Sequence, residues 1–150
     1  MSIYLDTSLL CSFYRKQHST PRALELVNAY PGPLPVSTLL LLEFRQSVRF
    51  QMRLFGKDRS KGFSKNEGAA MLGLLQSDLA NGVLAMVSPD WADVHRIAES
   101  LSFKYTETEG HRFADILHVA TAIHLGAQQF FTFDVNQKRL AEAEGMTVPA

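Results

Sequence analysis

The chain has almost no cysteine and no excess of charge of either sign, and both absences limit what it can be. Cys11 is the only cysteine in 150 residues, so an internal disulfide is excluded and the composition suits a reducing compartment. Its neighbours Leu9, Leu10 and Phe13 predict a core residue rather than a nucleophile. Fifteen Lys and Arg balance fifteen Asp and Glu, so no global field indicates a nucleic-acid or membrane partner.

Long hydrophobic runs are missing as well. The most apolar run, residues 38–42, is far shorter than the roughly 18 residues that suggest a membrane span. The N-terminus shows neither the basic stretch nor the apolar run of a signal peptide, and there is no internal repeat or low-complexity stretch. We therefore expect one domain over residues 1–150, located in the cytoplasm and without a membrane partner.

Short apolar segments alternate with longer amphipathic ones. Strands are predicted at Ser2–Leu5, Leu34–Val36, Val83–Val87 and Gln129–Phe133, with a possible fifth at Met146–Val148. Helices fill most of the intervals, and the residues from Thr106 to Gly110 are predicted to form a loop. This alternation favours an α/β fold of three layers, α/β/α, with a central, mainly parallel sheet of four to five short strands.

A second helix is predicted to open at Pro21. Pro21 suits a first helical position, and residues 31–33, Pro-Gly-Pro, end the helix. Leu24, Val27 and Tyr30 are predicted to face the core.

Two aspartates stand where strands end. Asp6 closes the first strand, and Asp134 closes the segment Thr132-Phe133-Asp134. Each could simply cap the helix that follows, and Gln137 would pair with Asp134 in such a cap. However, parallel strands place their carboxyl ends at one sheet edge, where sites of α/β proteins lie. Both aspartates are therefore expected to face the same crevice.

Two further acids lie early in apolar helices. Glu43 follows Leu39–Leu42 and precedes Phe44, and burial of a carboxylate is costly unless it is paired or binds metal. A glutamate that points to solvent is an equally good interpretation of Glu43 alone. Asp115 lies at the start of a helix, where the macrodipole favours an acid, but Ile116 and Leu117 leave it partly enclosed.

Together, the four acids form the oxygen-rich ligand set that hard divalent cations require. Mg²⁺ and Mn²⁺ take carboxylate oxygens and leave positions for water and substrate phosphate. Without metal, four clustered carboxylates would repel one another. The sequence therefore predicts a divalent metal site formed by Asp6, Glu43, Asp115 and Asp134.

At these residues the sequence resembles a known family over essentially its whole length. The segments Ile3-Tyr4-Leu5-Asp6-Thr7-Ser8, Asp115-Ile116-Leu117-His118-Val119-Ala120 and Phe131-Thr132-Phe133-Asp134, with Glu43 after a short strand, resemble the PIN-domain ribonucleases. Within these, the chain is similar to the VapC-type toxins of bacterial toxin–antitoxin pairs. Each motif is loose alone, and the four in order are fairly specific.

The resemblance implies a PIN-like fold and Mg²⁺- or Mn²⁺-dependent cleavage of RNA. It also implies a homodimer and inhibition by a cognate antitoxin. The family's four acidic positions fall on Asp6, Glu43, Asp115 and Asp134. Ser8 matches the small polar position after the first acid, and Thr132 a polar position near the fourth. A departure from many compact members is the long basic loop over residues 57–65, which leaves substrate preference open.

Basic residues repeat along the helix that carries Glu43. Arg45, Arg49 and Arg53 recur every four residues, and Lys57 continues the series into the loop. We call these four residues the basic stripe. A solvated helix face and an RNA-binding surface are equally good interpretations of it. Arg112, one turn before Asp115, is a further candidate to pair with a site acid or a phosphate.

The histidines predict no further metal site, and one other enzyme class is excluded by the sequence. The five histidines show no zinc-like spacing with cysteine, and His118, which shares a helix face with Asp115, is best interpreted as packed or hydrogen-bonded. Haloacid-dehalogenase-like phosphatases also place an aspartate after the first strand, but they need a second aspartate where Ser8 stands. That enzyme class is therefore excluded. Two alternatives stay open: a PIN nuclease in RNA processing or repair outside toxin systems, and a non-catalytic PIN-like binding module.

Overall fold

Strands and helices alternate along the chain as the sequence predicts. The computed structural model describes residues 2–149. Four strands are present: β1 (Ile3–Leu5), β2 (Leu34–Val36), β3 (Leu84–Met86) and β4 (Gln129–Phe131). The α-helices are α1 (Thr7–Tyr14), α2 (Thr20–Ala29), α3 (Thr38–Lys57), α4 (Lys65–Ala80), α5 (Trp91–Leu101), α6 (Glu107–Glu109), α7 (Phe113–His124) and α8 (Val135–Ala143), and a π-helical turn spans Ser102–Thr106.

All strand pairs in the described residues are parallel and short. β1 pairs with β4, with Tyr4 opposite Phe130, and β2 pairs with β3, with Pro35 opposite Ala85. The predicted fifth strand is reduced to a bridge between Gln129 and Thr147. β1 lies beside β2, but across residues 2–149 no ladder joins them, so two two-stranded sheets replace the single predicted sheet. Pro35 has no N–H to donate, which limits the pairing of β2.

Helices cover both faces of these strands. In β1, Ile3 and Leu5 pack into one hydrophobic cluster with α1–α4, whereas Tyr4 packs into a second cluster with α5, α7 and α8. β4 divides in the same way, with Phe131 in the first cluster and Phe130 in the second. Successive side chains of a strand point to opposite faces, so this division is the signature of three layers. The predicted α/β/α architecture is confirmed.

Two local predictions were wrong. In α2, Val27 and the capping Tyr30 pack against the core as predicted, beside the buried Ala23 and Leu26, but Leu24 is 41% exposed. Residues 106–109, predicted to be a loop, are helical, and the chain leaves this helical segment at Gly110, whose φ of 73° is readily adopted by glycine.

No helix formed by residues 2–149 is both long enough and apolar enough to cross a bilayer.

Candidate active site

A cavity of about 400 Å³ opens where β1 and β4 end. Asp6 follows β1 directly, and Asp134 lies three residues after β4. Because the two strands are paired in parallel, both aspartates reach the same edge, as the sequence predicts. The polar residues that line the cavity include three of the four predicted acids and one arginine: Asp6, Thr7, Ser8, Glu43, Ser47, Arg112, Asp134 and Gln137.

Asp6 is the most enclosed of the acids, with 1% of its surface exposed. Its Oδ1 accepts hydrogen bonds from the Ser8 hydroxyl (2.7 Å) and the Leu9 amide (3.1 Å). Its Oδ2 accepts from the Thr132 hydroxyl and from Nε2 of Gln137 (3.2 Å). Burial raises the pKa of Asp6, although these hydrogen bonds oppose the shift. A nearby cation would favour the ionised carboxylate.

Ser8 and Thr132 join the ends of the two strands. The Ser8 Oγ accepts a hydrogen bond from the Phe133 amide (2.9 Å), and the Thr132 Oγ1 accepts from the Asp134 amide (2.9 Å). Both hydroxyls also donate to Asp6. They therefore fix the position of Asp6 relative to the segment that carries Asp134.

Glu43 is held by a buried chain of hydrogen bonds. Its Oε1 accepts from the Thr7 hydroxyl and from Nε2 of His118 (2.7 Å). On the other side of the imidazole, Nδ1 lies 2.6 Å from the Tyr4 hydroxyl. Burial by itself would raise the pKa of Glu43, but the hydrogen bond and charge of His118, together with Thr7, outweigh it and hold the pKa below its usual value. The carboxylate is therefore favoured in its ionised form.

Arg112 links the two remaining acids. Its Nε donates to Oδ2 of Asp115 (3.2 Å), and its terminal nitrogen lies 3.7 Å from Oδ2 of Asp134. Asp115 is 4% exposed, which confirms that it is enclosed, whereas the arginine side chain is largely in solvent. The charges of Asp115, followed by those of Asp134 and Glu43, raise the pKa of Arg112. Three acids thus surround one guanidinium.

Comparison with protein-family models gives one match over this arrangement. A model described as the PIN domain matches residues 3–143, which include all four acids. The chain belongs to the PIN domain family. A search of curated proteins found no match.

Solved structures share this PIN fold at low sequence identity. VapC20 of Mycobacterium tuberculosis, described as a toxin that cleaves the sarcin–ricin loop, has 20% identity and a TM-score of 0.65, with 97% of each chain covered. VapBC2 of Rickettsia felis, bound to a fragment of promoter DNA, has 19% identity and a TM-score of 0.64, with 99% of this chain and 97% of that chain covered. A structure described as FitAcB of Neisseria gonorrhoeae has 17% identity and a TM-score of 0.61, with 97% of this chain and 95% of that chain covered.

The acids of this PIN domain supply carboxylate oxygens, which are the type of ligand that a divalent cation such as Mg²⁺ prefers. In their present rotamers, no three Asp, Glu, His or Cys side chains of residues 2–149 are placed to hold one ion. Protein donors already engage the carboxylates, four of them on Asp6 and a guanidinium between Asp115 and Asp134. Arg112 is thus a cation among acids that a metal would otherwise neutralise. In addition, the buried Oε1 of Gln137, beside Asp6, has no hydrogen-bond partner within residues 2–149.

The capping interpretation of the two strand-end aspartates also holds. The side chain of Asp6 caps α1 through the Leu9 amide, and that of Asp134 caps α8 through the Gln137 amide (2.9 Å). The side chain of Gln137, however, reaches Asp6 rather than returning to the cap. Asp6 and Asp134 can therefore each cap a helix and belong to the site at the same time.

The basic stripe lies apart from this cavity. Arg45, Arg49, Arg53 and Lys57 are absent from its lining. Arg45 follows Glu43 by two residues, which is about 200° around a helix. Arg45 and Glu43 therefore lie on different faces of α3, and the RNA-binding role of the stripe stays a prediction.

Sequence reasoning missed or undervalued several polar neighbours of the acids. Tyr4, Thr7 and Gln137 were given no site role, and each contacts an acid or its hydrogen-bond partner. His118 is hydrogen-bonded, as predicted, and its partner is Glu43. In the sequence, the one signal that a histidine lies near the acids was the helical spacing that places His118 beside Asp115. Cys11 lines the cavity, but burial raises the pKa of its thiol to about 11, consistent with an unreactive residue.

Proposed function

We propose that this PIN domain is a Mg²⁺- or Mn²⁺-dependent endoribonuclease and the toxin of a toxin–antitoxin pair. The observation that carries the proposal is that Asp6, Glu43 and Asp134 line one cavity, while Arg112, which also lines it, contacts Asp134 and the fourth acid, Asp115. Asp6, Asp115 and Asp134 are the residues that would hold the ion. Arg112 contacts two of these carboxylates, and a divalent ion would compensate the charge of the others.

Glu43 is proposed to complete the metal cluster or to orient the attacking water. A bound divalent ion would acidify a water molecule and neutralise charge on the phosphate. The hydrogen bonds to Glu43 from Thr7 and His118 fall on the same oxygen, Oε1, and hold an ionised carboxylate at the cavity wall. Such a carboxylate can accept a hydrogen bond from a water and aim it at phosphorus. Arg112, on the exposed side, can contact a phosphate oxygen.

RNA as the substrate and an antitoxin as the partner are supported by the structural relatives. VapC20 is described as a toxin that cleaves the sarcin–ricin loop, and VapBC2 is described as bound to a DNA fragment from its promoter. Action on cellular RNA would place this chain in the cytoplasm.

Exposed aromatic and aliphatic residues, Phe103, Phe113 and Leu42, offer apolar surface for a homodimer. A small gene for a DNA-binding protein beside this one would support the toxin assignment; its absence would favour an RNA-processing or repair nuclease.

Metal removal is the first test of the proposed activity. We expect the purified protein to cleave RNA with Mn²⁺ or Mg²⁺ and to lose cleavage in EDTA, with recovery when excess metal is returned. Cleavage can be followed on an end-labelled RNA by gel electrophoresis. Equal cleavage with EDTA and with metal would contradict metal dependence, and no cleavage of a range of RNAs would favour the binding-module alternative.

Arg112→Gln is expected to change metal binding and RNA cleavage in opposite directions. Removal of the guanidinium between Asp115 and Asp134 takes away a competing positive charge, so Mn²⁺ affinity should rise several-fold. Loss of a phosphate contact should lower kcat/KM about tenfold, equivalent to roughly 1.4 kcal/mol. Calorimetric Mn²⁺ titration and RNA kinetics measure the two effects. A fall in both would show that Arg112 mainly supports the fold.

The basic stripe is proposed to bind the RNA backbone away from the cleavage site. The double variant Arg49→Gln/Arg53→Gln should weaken RNA binding and reduce the slope of log K against log salt by about 0.7 per lost phosphate contact. The matched control is Arg22→Gln/Arg96→Gln, which removes two arginines that pair with Glu25 and Asp93. Equal salt slopes for the two double variants would leave the stripe a solvated helix face.

A further inference from the structure

Gln137 lies in the first turn of α8, in contact with two of the four acids. It is 4% exposed and lines the acid cavity. Its backbone amide donates to Asp134 Oδ1, and its side-chain Nε2 donates to Asp6 Oδ2. Asp6 and Asp134 follow different strands, so this one residue connects the acids of β1 and β4.

The orientation of the amide follows from the chemistry of its partner. An ionised carboxylate can only accept hydrogen bonds, so the NH₂ group of Gln137 must face Asp6. The amide oxygen is therefore directed away from Asp6. Within residues 2–149 this oxygen is buried and has no hydrogen-bond partner.

An unsatisfied buried amide oxygen is unfavourable, and native proteins keep few of them. Two other orphaned atoms, Thr106 Oγ1 and His111 Nδ1, belong to the segment around α6 and are absent from the lining of the acid cavity. The Gln137 oxygen differs from them because its residue lines that cavity beside Asp6. A donor supplied at the site would satisfy it.

We propose that Gln137 is a fifth residue of the metal site, which orients Asp6 through its amide nitrogen and accepts a hydrogen bond from the ion's hydration shell through its amide oxygen. This inference rests on the proposed metal-dependent function. Mg²⁺ and Mn²⁺ usually keep several waters in protein sites, and each such water has donors to satisfy. Side chains that support metal ligands in this way typically change metal affinity 10- to 100-fold when they are removed.

The test is Mn²⁺ binding, measured by calorimetry on purified protein without RNA. Gln137→Met keeps the length of the side chain and removes both polar atoms, and we expect at least about tenfold weaker Mn²⁺ binding. Gln137→Glu keeps an oxygen but places a carboxylate against Asp6. We expect it to lower the melting temperature of the metal-free protein and to enlarge the rise in melting temperature caused by Mn²⁺.

The matched control is Gln76→Glu, which adds the same charge to an exposed residue of α4 outside the cavity lining and should behave like the unsubstituted protein. Unchanged Mn²⁺ affinity in Gln137→Met would show that Gln137 is only structural and would overturn the inference while the proposed function stands. If Gln137→Met does not fold, Gln137→Asn, which withdraws the amide by one methylene, is held to the same criterion. An unsubstituted protein that binds no Mn²⁺ overturns the proposed metal dependence and this inference with it.

Discussion

Asp6→Asn is expected to lower RNA cleavage by about 10²- to 10³-fold while the protein stays folded. The substitution removes one negative charge from the centre of the four acids, where Asp6 accepts four hydrogen bonds. Asparagine is as good a helix cap as aspartate, so the cap of α1 on the Leu9 amide can persist. Single-turnover cleavage measures the activity, and circular dichroism with thermal melting checks the fold.

Asp90→Asn is the matched control for this variant. Asp90 caps α5 through the amides of Ala92 and Asp93, so it has the same local role as Asp6 but is absent from the cavity lining. We expect Asp90→Asn to cleave RNA at the unsubstituted rate. Full activity in Asp6→Asn, or equal losses in both variants, would remove Asp6 from the chemistry and leave only its capping role.

His118→Ala is expected to have the second largest effect, on stability and activity together. His118 is fully buried, and its ring contacts the Tyr4 hydroxyl and the Glu43 carboxylate. Its loss opens a cavity and leaves both groups short of a partner, so the free energy of unfolding should fall by about 3 kcal/mol. Because Glu43 also loses the group that fixes its position, cleavage should fall 10- to 100-fold under conditions where the variant is folded.

Two further variants separate these effects. Tyr4→Phe removes only the hydroxyl at the far end of the chain, so we expect about 1 kcal/mol of destabilisation and a smaller loss of cleavage. His124→Ala, near the end of the same helix, removes a contact to Asp93 outside the cavity lining and should leave cleavage unchanged. A His118→Ala protein that is folded and fully active would show that the Tyr4–His118–Glu43 chain only stabilises the core.

The parts of the site that follow from chain direction could be predicted from the sequence. Asp6 and Asp134 each come at the end of an apolar segment, and parallel pairing of β1 with β4 brings such ends together. The enclosure of Asp115 was predicted because apolar residues follow it on α7. These predictions need only the strand and helix periods and the cost of burying a carboxylate.

The parts that depend on helix rotation and side-chain direction could not be predicted. On α2 the small Ala23 is buried and the larger Leu24 beside it is exposed, an outcome that depends on which neighbouring elements cover the helix. The basic stripe is near Glu43 in sequence but turned away from it on α3. The contacts of His118 and Gln137 with acids 75 and 131 residues away depend on tertiary packing, which local patterns do not specify.

The most direct test of the central claim, that the four acids form a divalent metal site, is anomalous diffraction from crystals grown with Mn²⁺. We predict an anomalous peak in the cavity within about 2.0–2.6 Å of carboxylate oxygens from at least two of Asp6, Asp115 and Asp134, with the Arg112 guanidinium moved away from Asp134. An empty cavity at saturating Mn²⁺, with Arg112 still bridging Asp115 and Asp134, would contradict the account.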